Sequence, residues 1–327
     1  MNIVIVHAGV IPAVKYGGTE RVIWYLGREL VKKGHQVTYL VNEGSSCHFA
    51  KVIFLKNEIP LSAQIPENTE VVHLNSIPEE PVGKPYLVTI HGNYPYKKKL
   101  DINAVFVSEN HASRYGSSSF VHNGLDWDDY GKPSFSEKKE HFHFLGDASW
   151  RVKNVRGAIE IVRSIPGEIL EVLGGTRLNF RMGFRLTLNS RIHFRGMIDT
   201  PEKIGWMQHS RGLIFPVRWH EPFGLAIIES LYFGCPVFGT PYGSLPEIVI
   251  PEVGFLSNQK AVLREMMKNA SEFSGKHCHD YVVEHFNAGK MAESYLKKYE
   301  MVLNGNALNQ SLPELQTFQR RKFLEWR

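Results

Sequence analysis

Short runs dense in Val, Ile, Leu and Phe recur along the chain, and the segments between them repeat apolar residues at helical spacing. In the first half the runs fall at 3–6, 37–41, 52–55, 71–74, 86–90 and 105–107; in the second at 142–145, 169–173, 192–194, 213–217, 236–238 and 254–256. Each is apolar throughout rather than alternating, which suits a strand covered by helices on both faces. The pattern therefore predicts an α/β chain with two doubly wound parallel sheets of the Rossmann-like kind. Between the two sets lies GKPSFSEKKEH (131–141), polar, with Gly and Pro and no apolar period, which reads as a linker. The expected organisation is a first domain over 1–135, a second over 136–287, and terminal helices within 288–327, one from AGKMAESYLKKYEMVL and one from LPELQTFQRRKFLEWR. Two facing domains of this type would set the C-terminal ends of their strands, with the ligand-binding loops, on either side of one cleft.

Composition supports two packed domains: 327 residues, 43% hydrophobic and 22% charged, enough to bury a sizeable core. The 38 basic and 33 acidic side chains leave +5, too slight for a polybasic nucleic-acid binder. The distribution says more than the total. Residues 1–135 hold 13 basic and 13 acidic side chains, 136–327 hold 25 and 20, and 141–220 hold 12 and 6. An anionic ligand is thus expected on the second domain. Cys47, Cys235 and Cys278 are too few and scattered for a disulfide framework or Cys-rich zinc site, so a reducing cytosol is expected. MNIVIVHAGV has no basic n-region and reads as a buried strand rather than a leader. No apolar run approaches the roughly 20 residues that span a bilayer, so membrane contact is expected to be peripheral.

Several chemistries lack their signatures. No two glycines are separated by a single residue, which removes the G-x-G-x-x-G dinucleotide fingerprint, and neither a Walker-type loop nor G-x-S-x-G occurs. Asp126-Trp127-Asp128 has a spacing that can hold a divalent metal beside a diphosphate, but it follows His-Asn-Gly-Leu, a turn-rich context, and reads as a turn. His277, Cys278, His279 and His285 read as a solvated helix face.

The informative block is FPVRWHEPFGLAIIESLYFGCPV, from Phe215. A buried strand ends, a polar loop carries Glu221, Pro222-Phe223-Gly224 opens an apolar helix, and Gly234 closes it before the next strand. The helix start at Phe223, Gly224 and Leu225 offers unpaired N–H groups and a positive dipole end to an anion. Glu229 lies two turns in. Carboxylates beside an anion site suit sugar hydroxyls rather than phosphate.

This block resembles the E-x7-E signature of retaining glycosyltransferases of family 4, enzymes of the two-domain GT-B fold. The resemblance extends to Tyr16-Gly17-Gly18-Thr19-Glu20, Thr89-Ile90-His91-Gly92, His122-Asn123-Gly124-Leu125-Asp126 and Gly239-Thr240-Pro241-Tyr242-Gly243. It implies a metal-independent hexosyltransferase that uses a UDP- or GDP-sugar and a glycan or lipid-linked acceptor, acting in cell-surface polysaccharide or glycolipid synthesis, with no cofactor. Glu221 would bind a donor-sugar hydroxyl, Glu229 the nucleotide ribose, and the N–H groups of Phe223, Gly224 and Leu225 sugar and phosphate oxygens. Gly17 and Gly18 would let the backbone approach the donor phosphate or the acceptor, His91 would orient the donor sugar, and Lys153 would clamp the diphosphate. The terminal helices would pack back on the first domain. One position departs: Asp147 stands where the family usually has an Arg, and Arg151 in the same loop is the expected substitute. The basic, aromatic stretches at Asn93–Lys99 and in the last eight residues suit a membrane surface at its inner face. A GT-B-fold nucleotide-sugar epimerase and a non-catalytic glycan-binding module are the alternatives.

Overall fold

The computed structural model describes residues 1–13, 17–94, 97–137, 139–317, 319 and 321–327, and they form two compact units. Tyr16, Pro95, Tyr96 and Arg320, which belong to stretches singled out above, lie outside the described residues.

The first unit comprises Met1–Asp126 and Phe286–Phe318. Its elements are β1 (Asn2–His7), α1 (Gly18–Lys32), β2 (Gln36–Val41), β3 (Lys51–Phe54), α2 (Leu61–Gln64), β4 (Val71–Leu74), β5 (Tyr86–Ile90), β6 (Ala104–Phe106) and α3 (Glu109–Arg114). The strands form one parallel sheet in the order β3-β2-β1-β4-β5-β6. Residues of the interior strand β4 are buried throughout, whereas edge strand β3 is partly exposed. That contrast is what strands covered on both faces, against one at a margin, should show.

The second unit comprises Trp127–His285 and Gln319–Arg327. It contains β7 (His141–Leu145), α4 (Val155–Arg163), β8 (Leu170–Leu173), β9 (Leu178–Asn179), β10 (Arg185–Leu186), β11 (Ile192–Phe194), α5 (Thr200–Gln208), β12 (Ser210–Phe215), α6 (Leu225–Tyr232), β13 (Val237–Gly239), α7 (Leu245–Ile248), β14 (Gly254–Leu256), α8 (Lys260–Lys268) and α9 (Gly275–His285). Six strands form a second parallel sheet, β11-β8-β7-β12-β13-β14. All twelve apolar runs become strands of the two sheets. The hairpin β9–β10, antiparallel with Arg185 opposite Asn179, is an addition that the apolar pattern does not announce.

The boundaries differ from the sequence expectation. The chain leaves the first unit at Asp126, before the polar 131–141 stretch, and returns to it at Phe286. Helix α10 (Ala288–Leu303) packs on the first sheet and on α1. Its docking is polar as well as apolar: His73 Nδ1 meets the Tyr299 hydroxyl at 2.7 Å, His73 Nε2 meets Thr89 Oγ1 at 2.8 Å, and Thr89 meets the Tyr295 hydroxyl at 2.8 Å, all buried. The expected second terminal helix is a correction. No helix forms among the described residues of 312–327, and 319–327 lies on the second unit, not the first. There Leu324 N donates to Arg218 O, Arg327 N to Asn258 O, and Trp326 packs against the core. Backbone pairing to loops and a partly buried indole outcompete the weak helical period of a basic segment.

Candidate functional site

Both candidate clusters lie at the C-terminal edges of the parallel sheets, where doubly wound folds place their ligands. In the second unit β7 runs into a loop that Asp147 organises, its Oδ1 accepting from Ser149 N at 2.8 Å. Asp147 therefore serves the turn. Arg151–Lys153 form a single 3-10 turn, and Asn154, left-handed at φ 57°, caps α4 by accepting from Gly157 N. The Asn154 amide also donates to Pro216 O at 2.9 Å, tying this loop to the one after β12.

That tie brings together the two residues expected to matter most. Lys153 Nζ lies 2.7 Å from Glu221 Oε2, and the Trp219 indole N–H donates to the same oxygen at 2.9 Å. The ammonium also sits 5.1 Å from the Phe215 ring centroid and 5.2 Å from that of Trp219, a cation held by a carboxylate and two aromatic faces. Glu221 is 6% exposed. Its backbone is gripped by the loop after β13: Ser244 N donates to Glu221 O at 2.9 Å, and Ser244 Oγ to Phe223 O at 2.6 Å. Gly243, at φ +65°, is required there, since a Cβ would lie 2.2 Å from Glu221 N.

Three residues on, Gly224 occupies the left-handed region at φ 91° as the N-cap of α6, a conformation that costs glycine little. Phe223 is buried, and Leu225 is the first helical residue, so the leading N–H groups of α6 and its positive end lie three to four residues past the Glu221 carboxylate. Glu229 is on the same helix but deep inside, 2% exposed, and its Oε1 accepts from the Tyr130 hydroxyl at 2.9 Å and Lys203 Nζ at 2.5 Å. Nothing in the sequence reading pointed to Lys203, Tyr130 or Trp219. Lys203 and Tyr130 reach Glu229 from elements distant along the chain, whereas Trp219 shares the loop of Glu221. Arg151 is placed elsewhere: its guanidinium lies 4.9 Å over the Phe323 ring, in a pocket lined by neither Lys153 nor Glu221.

In the first unit His7 ends β1, Asn75 follows β4 and His91 follows β5, three adjacent strands. His91 Nε2 lies 2.7 Å from Asn75 Oδ1, and the Asn75 amide nitrogen donates to Val6 O at 2.9 Å. Because that bond orients the amide, Asn75 Oδ1 is an acceptor and His91 carries its proton on Nε2, leaving Nδ1 as an acceptor. Burial, with the charge of His7, lowers the His91 pKa to about 4, so the ring is neutral at ordinary pH. His7 Nε2 lies 3.3 Å from Glu20 Oε1, and this bond holds Glu20 below the usual carboxylate range. Gly17, ahead of α1, leaves room for that carboxylate: a Cβ would stand 2.7 Å from Glu20 Oε2. Gly18 is the first residue of α1. His7 and Glu20 join the cluster although neither carried a role in the sequence reading.

The Asp126 carboxylate is engaged by Arg28 at 2.8 Å and Lys32 at 2.9 Å, and His279 Nδ1 bonds to Tyr232 O. No group of three or more His, Cys, Asp or Glu among the described residues is arranged to hold a metal ion. No helix among them is long and apolar enough to cross a membrane.

Residues 127–273 match the family model of the glycosyl transferases group 1. That segment is similar to the group 1 glycosyl transferases. The matched segment carries the Lys153–Glu221 pair, α6 and the Glu229–Lys203 pair. Among solved structures, AviGT4, a glycosyltransferase involved in avilamycin A biosynthesis, is 19% identical with a TM-score of 0.75, over 93% of this chain and 98% of that one. Sucrose-phosphate synthase from Thermosynechococcus elongatus is 16% identical with a TM-score of 0.70, over 93% and 100% of the two chains. HepE from Anabaena, in complex with UDP and glucose, is 14% identical with a TM-score of 0.67, over 92% and 99%. These likenesses establish the fold, which is GT-B. An uncharacterized 42.6 kDa protein in the cps region of Klebsiella pneumoniae is 25% identical over 118 residues, 36% of this chain and 29% of that protein. This match spans less than a third of the relative's length.

Proposed function

We propose that the protein is a retaining glycosyltransferase that moves a hexose from a UDP- or GDP-sugar to a hydroxyl of a glycan or lipid-linked acceptor, in cell-surface polysaccharide or glycolipid synthesis at the inner face of the membrane. The observation that carries this reading is the Lys153–Glu221 pair, held at 2.7 Å a few residues before the N-terminus of α6 within the segment similar to the group 1 glycosyl transferases. Departure of a nucleoside diphosphate builds negative charge on the phosphates and positive charge on the sugar ring. Catalysis then depends on cations and N–H groups already in place. Lys153 and the leading N–H groups at Gly224 and Leu225 meet the phosphates, and Glu221 takes a sugar hydroxyl once Lys153 turns to the diphosphate. Glu229, steadied by Lys203 and Tyr130, takes the ribose. His91, neutral and with Nδ1 as acceptor, receives a hydroxyl proton of the donor sugar in a hydrogen bond, and Gly17 and Gly18 admit the substrate to the backbone.

The bond from the anomeric carbon to the phosphate oxygen breaks, the acceptor oxygen bonds the same face, and a leaving-group phosphate oxygen receives the acceptor proton. No carboxylate nucleophile takes part, unlike the paired acids of glycosidases. The test is product analysis with UDP- and GDP-hexoses in EDTA. Nucleoside diphosphate is expected only when an acceptor is supplied; isomerisation of the donor alone would establish an epimerase instead, and no conversion of any donor and acceptor pair a binding module.

A further inference from the structure

Beside the transferase site, the second unit holds a pocket of about 340 Å³ whose lining includes Arg151, Arg156, Arg185 and Arg218 and no acidic residue. Among the described residues, none of the four arginines forms an ion pair with a carboxylate. Their hydrogen bonds go to backbone carbonyls or a hydroxyl: Arg156 to Phe184 O, Arg185 to Thr176 O and Thr187 Oγ1, Arg218 to Leu324 O. Arg185 is 6% exposed, and burial together with the charge of Arg156 lowers its pKa. The same pocket is lined by the first residues of α4 and by Ser149, which is 7% exposed and whose buried Oγ has no hydrogen-bond partner among the described residues. Guanidinium forks, a helix N-terminus and an unused hydroxyl are the donors that recognise a phosphate.

One wall of this pocket is the β9–β10 hairpin, with Met182 and Phe184 in its lining, and the hairpin exposes apolar side chains. Phe180, Met182, Phe184 and Leu186 are 72%, 56%, 59% and 49% exposed, and Leu188 just beyond is 83% exposed. Contiguous exposure of this kind is unusual for a surface that meets only water. Arg177 and Arg181 stand among these side chains, and no acidic residue occurs from 172 to 198. Apolar and aromatic side chains interleaved with arginine, beside a cationic pocket, complement an anionic lipid surface.

We propose that the Arg151/Arg156/Arg185/Arg218 pocket binds the headgroup phosphate of an anionic lipid while the β9–β10 hairpin seats Phe180, Met182 and Phe184 among its acyl chains. This docking site is separate from the Lys153–Glu221 pair and does not depend on the transferase reading. The test is flotation of the full chain with vesicles of phosphatidylcholine containing phosphatidylglycerol, against vesicles of phosphatidylcholine alone. The wild type is expected to float with the anionic vesicles only, and to be released by high salt. Phe180→Ser, which alters the most exposed hairpin ring, and R156Q/R218Q, which removes two pocket charges, should each reduce bound protein at least tenfold with unchanged circular dichroism. Flotation of either variant like the wild type, equal flotation with neutral vesicles, or no flotation would overturn the proposal. So would thermal stabilisation by inorganic pyrophosphate, lost in R156Q/R218Q but kept in Lys153→Ala, without vesicle binding: the pocket would then serve a soluble phosphate. Glu221→Gln, inactive if the transferase reading holds, should float like the wild type, so the two readings fail separately.

Discussion

At the residue scale, Lys153 and Glu221 make the sharpest claims. Lys153→Ala and Glu221→Gln should each lower sugar transfer by about 10²–10³-fold, the usual loss when a preorganised charged contact is removed. The pair acts as a unit, so the double variant should be scarcely worse than either single one. Rates in steady-state transfer assays check this, and additive losses would show that the two act separately. Glu229 and Lys203 behave differently, because both are buried. Lys203→Met would take the ammonium away from a carboxylate that is 2% exposed, a change of about 3–5 kcal/mol. Urea unfolding should show that loss, and a stability within 1 kcal/mol of wild type, roughly the worth of an exposed pair, would count against it. Glu221, Glu229, Lys153 and His91 were legible because they sit in recognisable strings beside glycines. Their partners Lys203, Tyr130 and Asn75 were not, since each is an ordinary residue made significant by a neighbour that folding supplies. Arg151 shows the converse: charge and loop position nominated it for the diphosphate, and the Phe323 ring draws it into another pocket.

At the scale of elements, uniformly apolar runs read correctly as buried parallel strands, because burial on both faces leaves no position for polar alternation. The two-residue strands β9 and β10 were invisible. Alternating Arg and apolar side chains there reflect a hairpin with one exposed face, and so short a ladder gives no period to read. The terminal segments show how context overrides pattern. α10 is long, carries the N-cap Asn287 and docks by the buried His73, Thr89, Tyr295 and Tyr299 network. Tyr299→Phe should cost about 1–3 kcal/mol by leaving His73 Nδ1 buried without its partner. Thermal or urea unfolding measures it, and a neutral result would mean that a water or a shifted ring replaces the hydroxyl. The 312–327 segment has helical spacing too, but Phe323, Trp326 and the backbone N–H groups of Leu324 and Arg327 find partners in the second unit.

For the whole molecule, each unit hides neutral histidines in its core. His73 and His111 in the first, and His143 in the second, bonded to Ser210 and Ser230, are all lowered from the ordinary 6.5 to about 3, chiefly by burial. The unfolded chain takes up protons below 6.5, whereas the folded one does so only near 3. Stability present above 6.5 is therefore lost as pH falls from 6.5 towards 3, by up to about 1.4 kcal/mol per pH unit for each histidine. Unfolding free energies at pH 7.5 and 5.5 should differ in that direction, and a chain more stable at pH 5.5 would show these rings to be accessible. The sequence by itself determined the fold class, the two sheets, the basic bias of the second unit and the Glu221-to-Glu229 string, because these depend on periodicity, composition and spacing along the chain. Tertiary structure alone decided where the units divide, which unit holds the tail, which cation meets which carboxylate, and that four arginines line one pocket. Those outcomes depend on contacts between residues far apart in sequence, whose energies no local pattern encodes.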